Sequence, residues 1–397
     1  MQLRYNVRLH PSPGQRQALA RAFGCARTVY NDGLRIRREA HAGGLPYIKD
    51  TDLQKAVITA AKKRPDRAWL GEVSSVVLVQ ALGDLHVAFR TFFASVTGKR
   101  KGRKVAAPRF RSRKDSRQAI RLTRNGFLVR PHGRLYVAKV GEIEVVWSRE
   151  LPSEPSSVTV VKDSAGRYFA SFVIETADQV LPQTASEIGI DLGLTHFAIT
   201  SDGRKVANPR ILRRAAKRLR TLQKALSRKE KGSANRAKAK LKVAKAHARV
   251  TDTRRDFAHK LSTTLIRDNQ AVYVEDLAVS GLARTKLARS VHDAGWSQFV
   301  SMLEYKARRY GRHFAKIDRW FPSSKLCSVC GSIATSMPLN VRSWICPCGA
   351  VHDRDVNAAI NILAAGRADR LNACGGDVRP PLAVADAREA GTHRSVA

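Results

Sequence analysis

Residues 187–200, Glu-Ile-Gly-Ile-Asp-Leu-Gly-Leu-Thr-His-Phe-Ala-Ile-Thr, place one carboxylate, that of Asp191, in the middle of an apolar strand. Side chains alternate along a strand, so Ile188, Ile190 and Leu192 face one way, while the carboxylate and its flanking glycines face the other. A bare glycine face beside a carboxylate would let a metal ion and a phosphodiester backbone approach closely. The alternative is an ordinary hairpin whose aspartate is a solvated edge charge.

Two later stretches supply further carboxylates. Residues 271–277, Ala-Val-Tyr-Val-Glu-Asp-Leu, predict a short strand that ends in acids, and residues 352–359, His-Asp-Arg-Asp-Val-Asn-Ala-Ala, run from an acid into a helix. Asp191, Glu275 and Asp355 lie 84 and then 80 residues apart, so only a folded sheet could bring them together. Clustered carboxylates repel one another unless a divalent cation binds among them. This pattern predicts a site for a hard metal ion, most naturally magnesium.

The composition points to a nucleic acid as the partner. The chain has 397 residues, which is more than one typical core and predicts two or three domains. It carries 72 Lys and Arg against 33 Asp and Glu, a formal charge of +39, and such a protein repels itself unless it meets a polyanion. A membrane surface is the weaker alternative, because no apolar run of spanning length and no signal peptide is visible. We therefore expect an intracellular protein.

The first half of the chain changes from helical to strand patterning. Residues 2–9 alternate as a strand, and Ser12 with Gln15 forms a capping box that starts a helix. Apolar stripes at helical spacing predict helices within 12–97, whose stripes we assign to packing. Alternating residues over 120–174 then predict a small antiparallel β-barrel or sandwich, which the N-terminal strand could join.

Two basic stretches are candidate phosphate contacts. The first is the linker 98–117, where Phe110 is interleaved with the cations, and its alternative is a solvated tail. The second is the helical stretch 210–255, which has 18 Lys and Arg but only two acids. Like charges at helical spacing destabilise a free helix, which favours a polyanion lying along it. The candidate residues are Lys99, Arg100, Lys101, Arg109, Arg213, Arg214, Arg218 and Arg220.

Four of the six cysteines form a zinc-ribbon pattern. Cys327 and Cys330 make one short pair and Cys346 and Cys348 the other, each followed by glycine, so that four thiolates could bind a structural zinc. One residue rather than two separates the second pair, which would strain that knuckle. His352 is therefore either a substitute ligand or a neighbour of the site.

Taken together, these motifs resemble the TnpB (OrfB) family, whose members are encoded by insertion-sequence transposons and are related to the type V CRISPR effectors. The resemblance extends over most of the chain and weakens after about Arg379. The stretches that carry it are Gly189-Ile-Asp-Leu-Gly193, Asp293-Ala-Gly-Trp296, Leu303-Glu-Tyr-Lys306, Pro322-Ser-Ser-Lys-Leu-Cys327 and His352-Asp-Arg-Asp-Val-Asn-Ala-Ala359.

The resemblance implies an RNA-guided DNA endonuclease. Its acidic triad would be Asp191, Glu275 and Asp355, binding two Mg²⁺ ions with Mn²⁺ as a substitute, and Asp353 is the rival for the third position. The partners would be a guide RNA from the transposon end and a double-stranded DNA target, with no membrane. We expect a monomer or weak dimer in a prokaryotic cytoplasm, associated with the nucleoid.

The resemblance also implies a multidomain α+β fold. A β-barrel wedge with a helical recognition insertion would precede a RuvC-like α/β nuclease domain of the ribonuclease-H type, into which a zinc ribbon is inserted. The expected segments are 1–11 (first wedge strand), 12–104 (recognition), 105–182 (wedge), 183–322 (nuclease, with the basic helices at 210–268), 323–350 (zinc ribbon), 351–378 (nuclease) and 379–397 (disordered tail).

Two other functions fit the same features. A guide-directed repressor would bind DNA without cleaving it, and a transposase would use the same fold and acids to join strands. A cleavage assay with the RNA that co-purifies would separate the three, because a transposase joins ends and a repressor leaves the target intact.

Overall fold

A computed structural model describes residues 1–338, 340–373, 376–377 and 388–389. The chain divides into two compact units, Met1–Ala177 and Asp178–Ala397. Cys374 and most of the predicted disordered tail lie outside the described residues.

The first unit is built on a seven-stranded antiparallel sheet with the order β2-β6-β7-β1-β5-β4-β3. Its strands are β1 (Gln2–His10), β2 (Gln118–Thr123), β3 (Phe127–Val129), β4 (Leu135–Val137), β5 (Gly141–Val146), β6 (Ser157–Lys162) and β7 (Tyr168–Glu175). The N-terminal strand β1 pairs with β7 and β5, which confirms that it joins this sheet. The two edge strands β2 and β3 are joined by only residues 124–126, so the sheet curls into a half-barrel.

Helices fill the connection between β1 and β2. They are α1 (Pro13–Ala42), α2 (Asp50–Gln54) and α3 (Ser75–Val96), with a π-helical stretch at Lys55–Ala60 and 3-10 turns at Ala61–Lys63 and Ala68–Glu72 between α2 and α3. The predicted capping box is confirmed, because the Ser12 hydroxyl accepts from the Gln15 amide and the Gln15 side chain accepts from the Ser12 amide. Buried residues of α1, α3 and the sheet form one hydrophobic core.

Helix α3 is long and apolar enough to cross a membrane by length and composition, contrary to the expectation that no such run exists. Its buried residues, among them Leu78, Leu82 and Leu85, belong to the core of the first unit. Five of its residues are buried in that core, whereas Val87, Phe93 and Val96 in its second half are exposed.

The second unit contains a five-stranded mixed sheet with the order β10-β9-β8-β11-β12. Its strands are β8 (Glu187–Asp191), β9 (His196–Thr200), β10 (Lys205–Ala207), β11 (Ala271–Glu275) and β12 (His313–Ile317). The meander β8-β9-β10 is antiparallel, whereas β8, β11 and β12 are parallel. The predicted α/β core is thus confirmed.

Helices cover both faces of this sheet. The helices of this unit are α4 (Ile211–Ser227), α5 (Ala234–Asp268), α6 (Val279–Leu282), α7 (Ala288–Ala294), α8 (Trp296–Arg309) and α9 (Arg354–Ala373). Ile188, Ile190 and Leu192 share one buried cluster with apolar residues of α5 and α8, as their alternation predicted. The remaining strands pair in twos: β13 (Ser343–Ile345) with β14 (Val351–Asp353), and β15 (Gly376–Asp377) with β16 (Arg388–Glu389).

The glycine face of β8 is covered by helix α9. A Cβ atom added to Gly189 would lie 2.2 Å from the backbone oxygen of Ala359 and 2.6 Å from the amide nitrogen of Leu363. The interpretation of this glycine as an opening for a metal ion and a phosphodiester is therefore wrong. Gly189 is needed because two backbones meet there.

Candidate active site

Helix α9 is anchored to the beginning of strand β8 by an ion-pair cluster. The Glu187 carboxylate accepts from Arg367 Nε at 2.6 Å and lies 2.7 Å from Arg370 Nη1. Burial raises the pKa of Glu187, but the two guanidinium groups outweigh it and hold the pKa below its ordinary value. Together with the contact at Gly189, this cluster fixes α9 antiparallel to β8.

Strand pairing brings Asp191 beside Glu275. In the parallel pair β8 and β11, Ile190 is the register partner of Val274, so the next residues along are the two acids. Both acids end their strands at the same edge of the sheet. The predicted convergence of these two carboxylates at strand ends agrees with this register.

Helix packing brings Asp355 to the same edge. Ala359 of α9 lies over Gly189 of β8. Asp355 precedes Ala359 by about one helical turn, and Asp191 follows Gly189 by two residues on the same strand face. Because α9 runs antiparallel to β8, both acids lie on the same side of this contact. The charges of Asp355 and Glu275 both act on Asp191. The three acids named from the sequence are therefore neighbours.

The electrostatics of this edge suit a divalent cation. Burial and, after it, the charges of Asp355 and Glu275 raise the pKa of Asp191 to about 7, although the Arg354 charge opposes them. Burial, followed by the charge of Asp276, also raises the pKa of Glu275. The donors are carboxylate oxygens, which Mg²⁺ prefers, and a divalent cation would relieve their repulsion. The residues present therefore fit magnesium.

Asp353 has a different environment from Asp355. Its Oδ1 accepts from the backbone amides of Asp355 and Val356 at 3.1 Å, so it caps the start of α9. Its Oδ2 lies 2.5 Å from Lys205 Nζ. Burial raises the pKa of Asp353, but these hydrogen bonds and the Lys205 charge outweigh it and lower the pKa overall. Asp355, and not Asp353, is among the charges that act on Asp191, which favours Asp355 as the third acid.

Sequence reasoning missed Arg342, which contacts Asp355. Its Nη1 lies 3.3 and 3.2 Å from the two carboxylate oxygens. The Arg342 carbonyl accepts from the Arg354 amide at 2.8 Å, and this bond holds the segment before β13 beside the start of α9. Nothing in the local stretch Val-Arg-Ser-Trp at 341–344 distinguishes this arginine from the many other cations of the chain.

The four cysteines of the ribbon come together. Their sulfur atoms lie within 4.8 Å of one another, with 3.8 Å between Cys327 and Cys348 and 3.6 Å between Cys330 and Cys346. Sulfur atoms about 2.3 Å from a tetrahedral zinc lie about 3.8 Å apart, so this set fits zinc despite the short second pair. His352 Nε2 lies 3.1 Å from Cys327 Sγ and His352 is buried, which places it beside the four thiols.

The thiols influence each other's protonation. Hydrogen bonds from Ser332 lower the pKa of Cys330 to about 6. A backbone hydrogen bond from Ala350 lowers the pKa of Cys348, but the neighbouring thiols of Cys330 and Cys346 outweigh it and raise the pKa to about 12. Crowded thiolates of this kind are stabilised by a bound cation.

Two buried asparagines, which sequence reasoning also missed, attach the cysteine cluster to α9. Asn357 accepts from the Ser328 amide at 3.0 Å and donates to the Leu326 carbonyl at 2.7 Å. Asn361 donates to the carbonyls of Ser323 at 2.8 Å and Leu326 at 2.7 Å. The first cysteine knuckle is thereby attached to the helix that carries Asp355.

The basic helices α4 and α5 enclose a groove of about 830 Å³. Leu219 and Val250 are among its apolar residues, and none of the described residues that line it is an acid. Of the predicted arginines, Arg214 and Arg218 line this groove, whereas Arg213 lines a different cavity and Arg220 lines neither. The cationic side chains of the groove are Arg214, Arg218, Lys242, Lys245 and Arg249. In the first unit, Lys99, Arg100, Lys101 and Arg109 are exposed after α3.

Three family models match the chain. Residues 171–286 match a model described as "Probable transposase" of the OrfB type. Residues 296–362 match the TNB domain of Cas12f1-like proteins, and residues 1–45 match the helix-turn-helix domain of OrfB proteins.

Curated relatives and one solved structure extend over most of the chain. A protein of Streptomyces pristinaespiralis named "Putative RNA-guided DNA endonuclease" is 48% identical over 95% of this chain and 92% of its own length. Escherichia coli InsQ, whose name carries the same description, is 30% identical over 94% of this chain and 93% of its own length. The Cas12f1 chain in a complex with guide RNA and target DNA shares the fold, with a TM-score of 0.53 and 13% identity over 87% of this chain and 82% of its own length. On this evidence the chain belongs to the OrfB (TnpB) family.

Proposed function

We propose that this protein is a transposon-encoded, RNA-guided DNA endonuclease of the RuvC type. The observation that carries the proposal is the edge of the nuclease sheet, where burial and neighbouring acids raise the pKa of Asp191 to about 7. Carboxylates are brought into such unfavourable proximity where a metal ion is bound for chemistry. The relatives named as RNA-guided DNA endonucleases support the same assignment.

The reaction is metal-assisted hydrolysis of a phosphodiester. Asp191, Glu275 and Asp355 would hold two Mg²⁺ ions, which supply an activated water and neutralise charge on the leaving 3′ oxygen. Asp353 keeps the helix start in place through its amide hydrogen bonds. Arg342 adds a guanidinium beside Asp355, suited to negative charge on phosphate oxygens.

Sequence choice comes from base pairing between a bound RNA and the target strand, while the protein supplies a positive surface for the backbones. The groove between α4 and α5 and the linker cations at 99–101 are our candidates for that surface. The segments 12–104 and 105–182 act as recognition and wedge domains, and the thiol cluster holds a structural zinc. We assign the protein to the prokaryotic cytoplasm, as a monomer or weak dimer.

The test is a cleavage assay with the full chain, its co-purified RNA, magnesium and a matching DNA target. Asp191→Ala should abolish cleavage and leave RNA-dependent DNA binding nearly intact, because it removes a metal ligand without altering the basic surface. Joined DNA ends would indicate a transposase, and an intact target with the unaltered protein would indicate a repressor. Cleavage retained by Asp191→Ala would show that the site lies elsewhere.

A further inference from the structure

A concave site lined by three arginines opens beside the loop that follows Asp191. Its volume is about 480 Å³, and Arg210, Arg213 and Arg289 supply its cationic side chains. Leu194, which also lines the site, follows Asp191 by three residues, so it lies within about 11 Å of it even along an extended chain. The site is therefore close to the proposed cutting edge.

Asn208 fixes one wall of this site. Its Nδ2 donates to the Leu194 carbonyl at 2.9 Å, and its Oδ1 accepts from the Arg210 amide at 3.1 Å. This side chain ties the loop after the first catalytic strand to the residue that precedes α4.

Asp293 fixes the opposite wall. Its oxygens accept from the amides of Leu212 at 2.7 Å and Arg213 at 3.0 Å, so an acid of α7 caps the first turn of α4. It also pairs with Arg254 at 3.3 Å. Because its oxygens are engaged and its side chain is 8% exposed, Asp293 leaves the site with a net positive charge.

The side chains of the three arginines have no partner in the part of the fold that the structure describes. Their side chains are exposed and make no hydrogen bond or ion pair within the ranges 1–338 and 340–373. Arg210 is held in the left-handed region at φ 44° and ψ 47°, which is unfavourable for a residue with a Cβ atom. A strained backbone that presents an unpaired guanidinium is typical of a functional position.

We propose that Arg210, Arg213 and Arg289 bind a phosphate of the DNA strand being cut, next to the phosphodiester at Asp191. The inference rests on the proposed function. Three guanidinium groups, two from the start of α4 and one from α7, suit a phosphate, because each presents paired N–H donors to its oxygens. The cut strand must pass Asp191, so its neighbouring phosphates pass this site, whereas the guide RNA need not.

The test compares single-turnover cleavage rates at saturating magnesium. Arg210→Gly and Arg289→Gln should each slow cleavage about tenfold, the effect of losing one charge-assisted hydrogen bond. The control is Lys286→Gln, which removes an exposed cation three residues before Arg289, in the turn that precedes α7, but does not line the site. It should cleave at the unaltered rate.

Arg210→Gly also separates a binding role from a structural one. Glycine adopts a positive φ without penalty, so the variant should unfold no earlier than the unaltered protein while it cleaves more slowly. A structural role would lower stability and rate together and would overturn the proposal.

The phosphate that the arginines contact can be identified by replacing single phosphates of the DNA near the cut with neutral methylphosphonates. At one position, the methylphosphonate should slow cleavage by the unaltered protein. It should not slow the Arg289→Gln variant any further, because each change removes the same contact. Variants that cleave at the unaltered rate, or that lose their co-purified RNA, would overturn the inference while leaving the proposed function standing. Failure of the unaltered protein to cleave would remove both.

Discussion

The carboxylate edge and the thiol cluster differ in how the chain builds them. All four thiols lie between Cys327 and Cys348, and their sulfur atoms approach within 4.8 Å of one another. The three acids are spread from Asp191 to Asp355, and within the described ranges they form no group as tight as the thiols. The thiol cluster is built by short loops, whereas the carboxylate edge depends on the docking of α9 against the sheet. We therefore expect the acids to be sensitive to packing changes far from the chemistry, and the thiols to respond to loss of a ligand.

The largest effect should come from Gly189→Ala. The added Cβ would meet the Ala359 oxygen at 2.2 Å, so α9 must move and Asp355 must move with it. We expect a loss of about 3 kcal/mol in the free energy of unfolding, measured by urea denaturation, together with loss of cleavage. The matched control is Gly281→Ala in α6, where the nearest atom is 4.0 Å away. Equal stability of the two variants would contradict the packing of α9 described above.

Cys327→Ser should have the next largest effect. Removing one thiolate weakens zinc binding, and because binding of a structural zinc is coupled to folding, zinc content and stability should fall together. A loss of roughly 2 kcal/mol would lower the melting temperature by about 4–8 °C for a unit of this size. Cys330→Ser should lose zinc and stability in the same way as Cys327→Ser. Cys25→Ala, a buried thiol of the first unit, should keep its zinc. A full molar equivalent of zinc in Cys327→Ser would refute this prediction.

Asp191→Asn should stabilise the protein at pH 8 in buffer without magnesium. The folded pKa of Asp191, about 7, lies above the value near 4 of an unfolded chain. Its contribution to stability is therefore complete below pH 4 and is lost as the pH rises through 7. We expect the unaltered protein to lose on the order of 1–3 kcal/mol over this range and Asp191→Asn not to.

Melting temperatures measured from pH 5 to pH 8 check this difference. Magnesium should remove the difference between the two proteins. It should stabilise only the unaltered protein, because the asparagine amide of the variant is a poorer ligand than the carboxylate. A variant that is less stable at pH 8 would mean that the carboxylates do not repel one another.

The smallest effect should come from changing the basic stretches. They differ in the same way as the carboxylate edge and the thiol cluster, because one is built from separate segments of the chain and the other from neighbouring residues. The groove combines cations of two helices, whereas Lys99, Arg100 and Lys101 are consecutive in a linker. Changing Arg214 and Arg218 to Gln should lower the slope of log binding against log salt by roughly 0.7–0.9 per lost phosphate contact. The same measurement on a variant with Lys99, Arg100 and Lys101 all changed to Gln tests the linker cations.

The control is Arg220→Gln, which should change the slope less than the groove variant does. If the slope is unchanged in every one of these variants, neither basic stretch binds phosphates.

The sequence predicted what local spacing encodes. Cysteine spacing indicated the zinc ribbon, and strand alternation gave the faces of β8 correctly. The role of Gly189 was misjudged, because the helix that covers it begins at Arg354, far along the chain. The contact of Arg342 with Asp355 likewise depends on where the ribbon docks.

Helix geometry separates two arginines that are both predicted from the sequence as candidate phosphate contacts. Arg213 and Arg214 are adjacent in the sequence, but successive residues point about 100° apart around a helix axis. They therefore line two separate cavities. Composition identifies a basic helix, but it does not say which of its sides meets which partner.

The late position of α9 in the chain has a consequence for biosynthesis. The basic helices α4 and α5 leave the ribosome before α9, which brings Asp355 and is anchored through Arg367 and Arg370. A nascent chain can therefore expose its cationic helices to nucleic acid while its third acid is still missing. Under the proposed chemistry, translation itself delays cutting until α9 has been made.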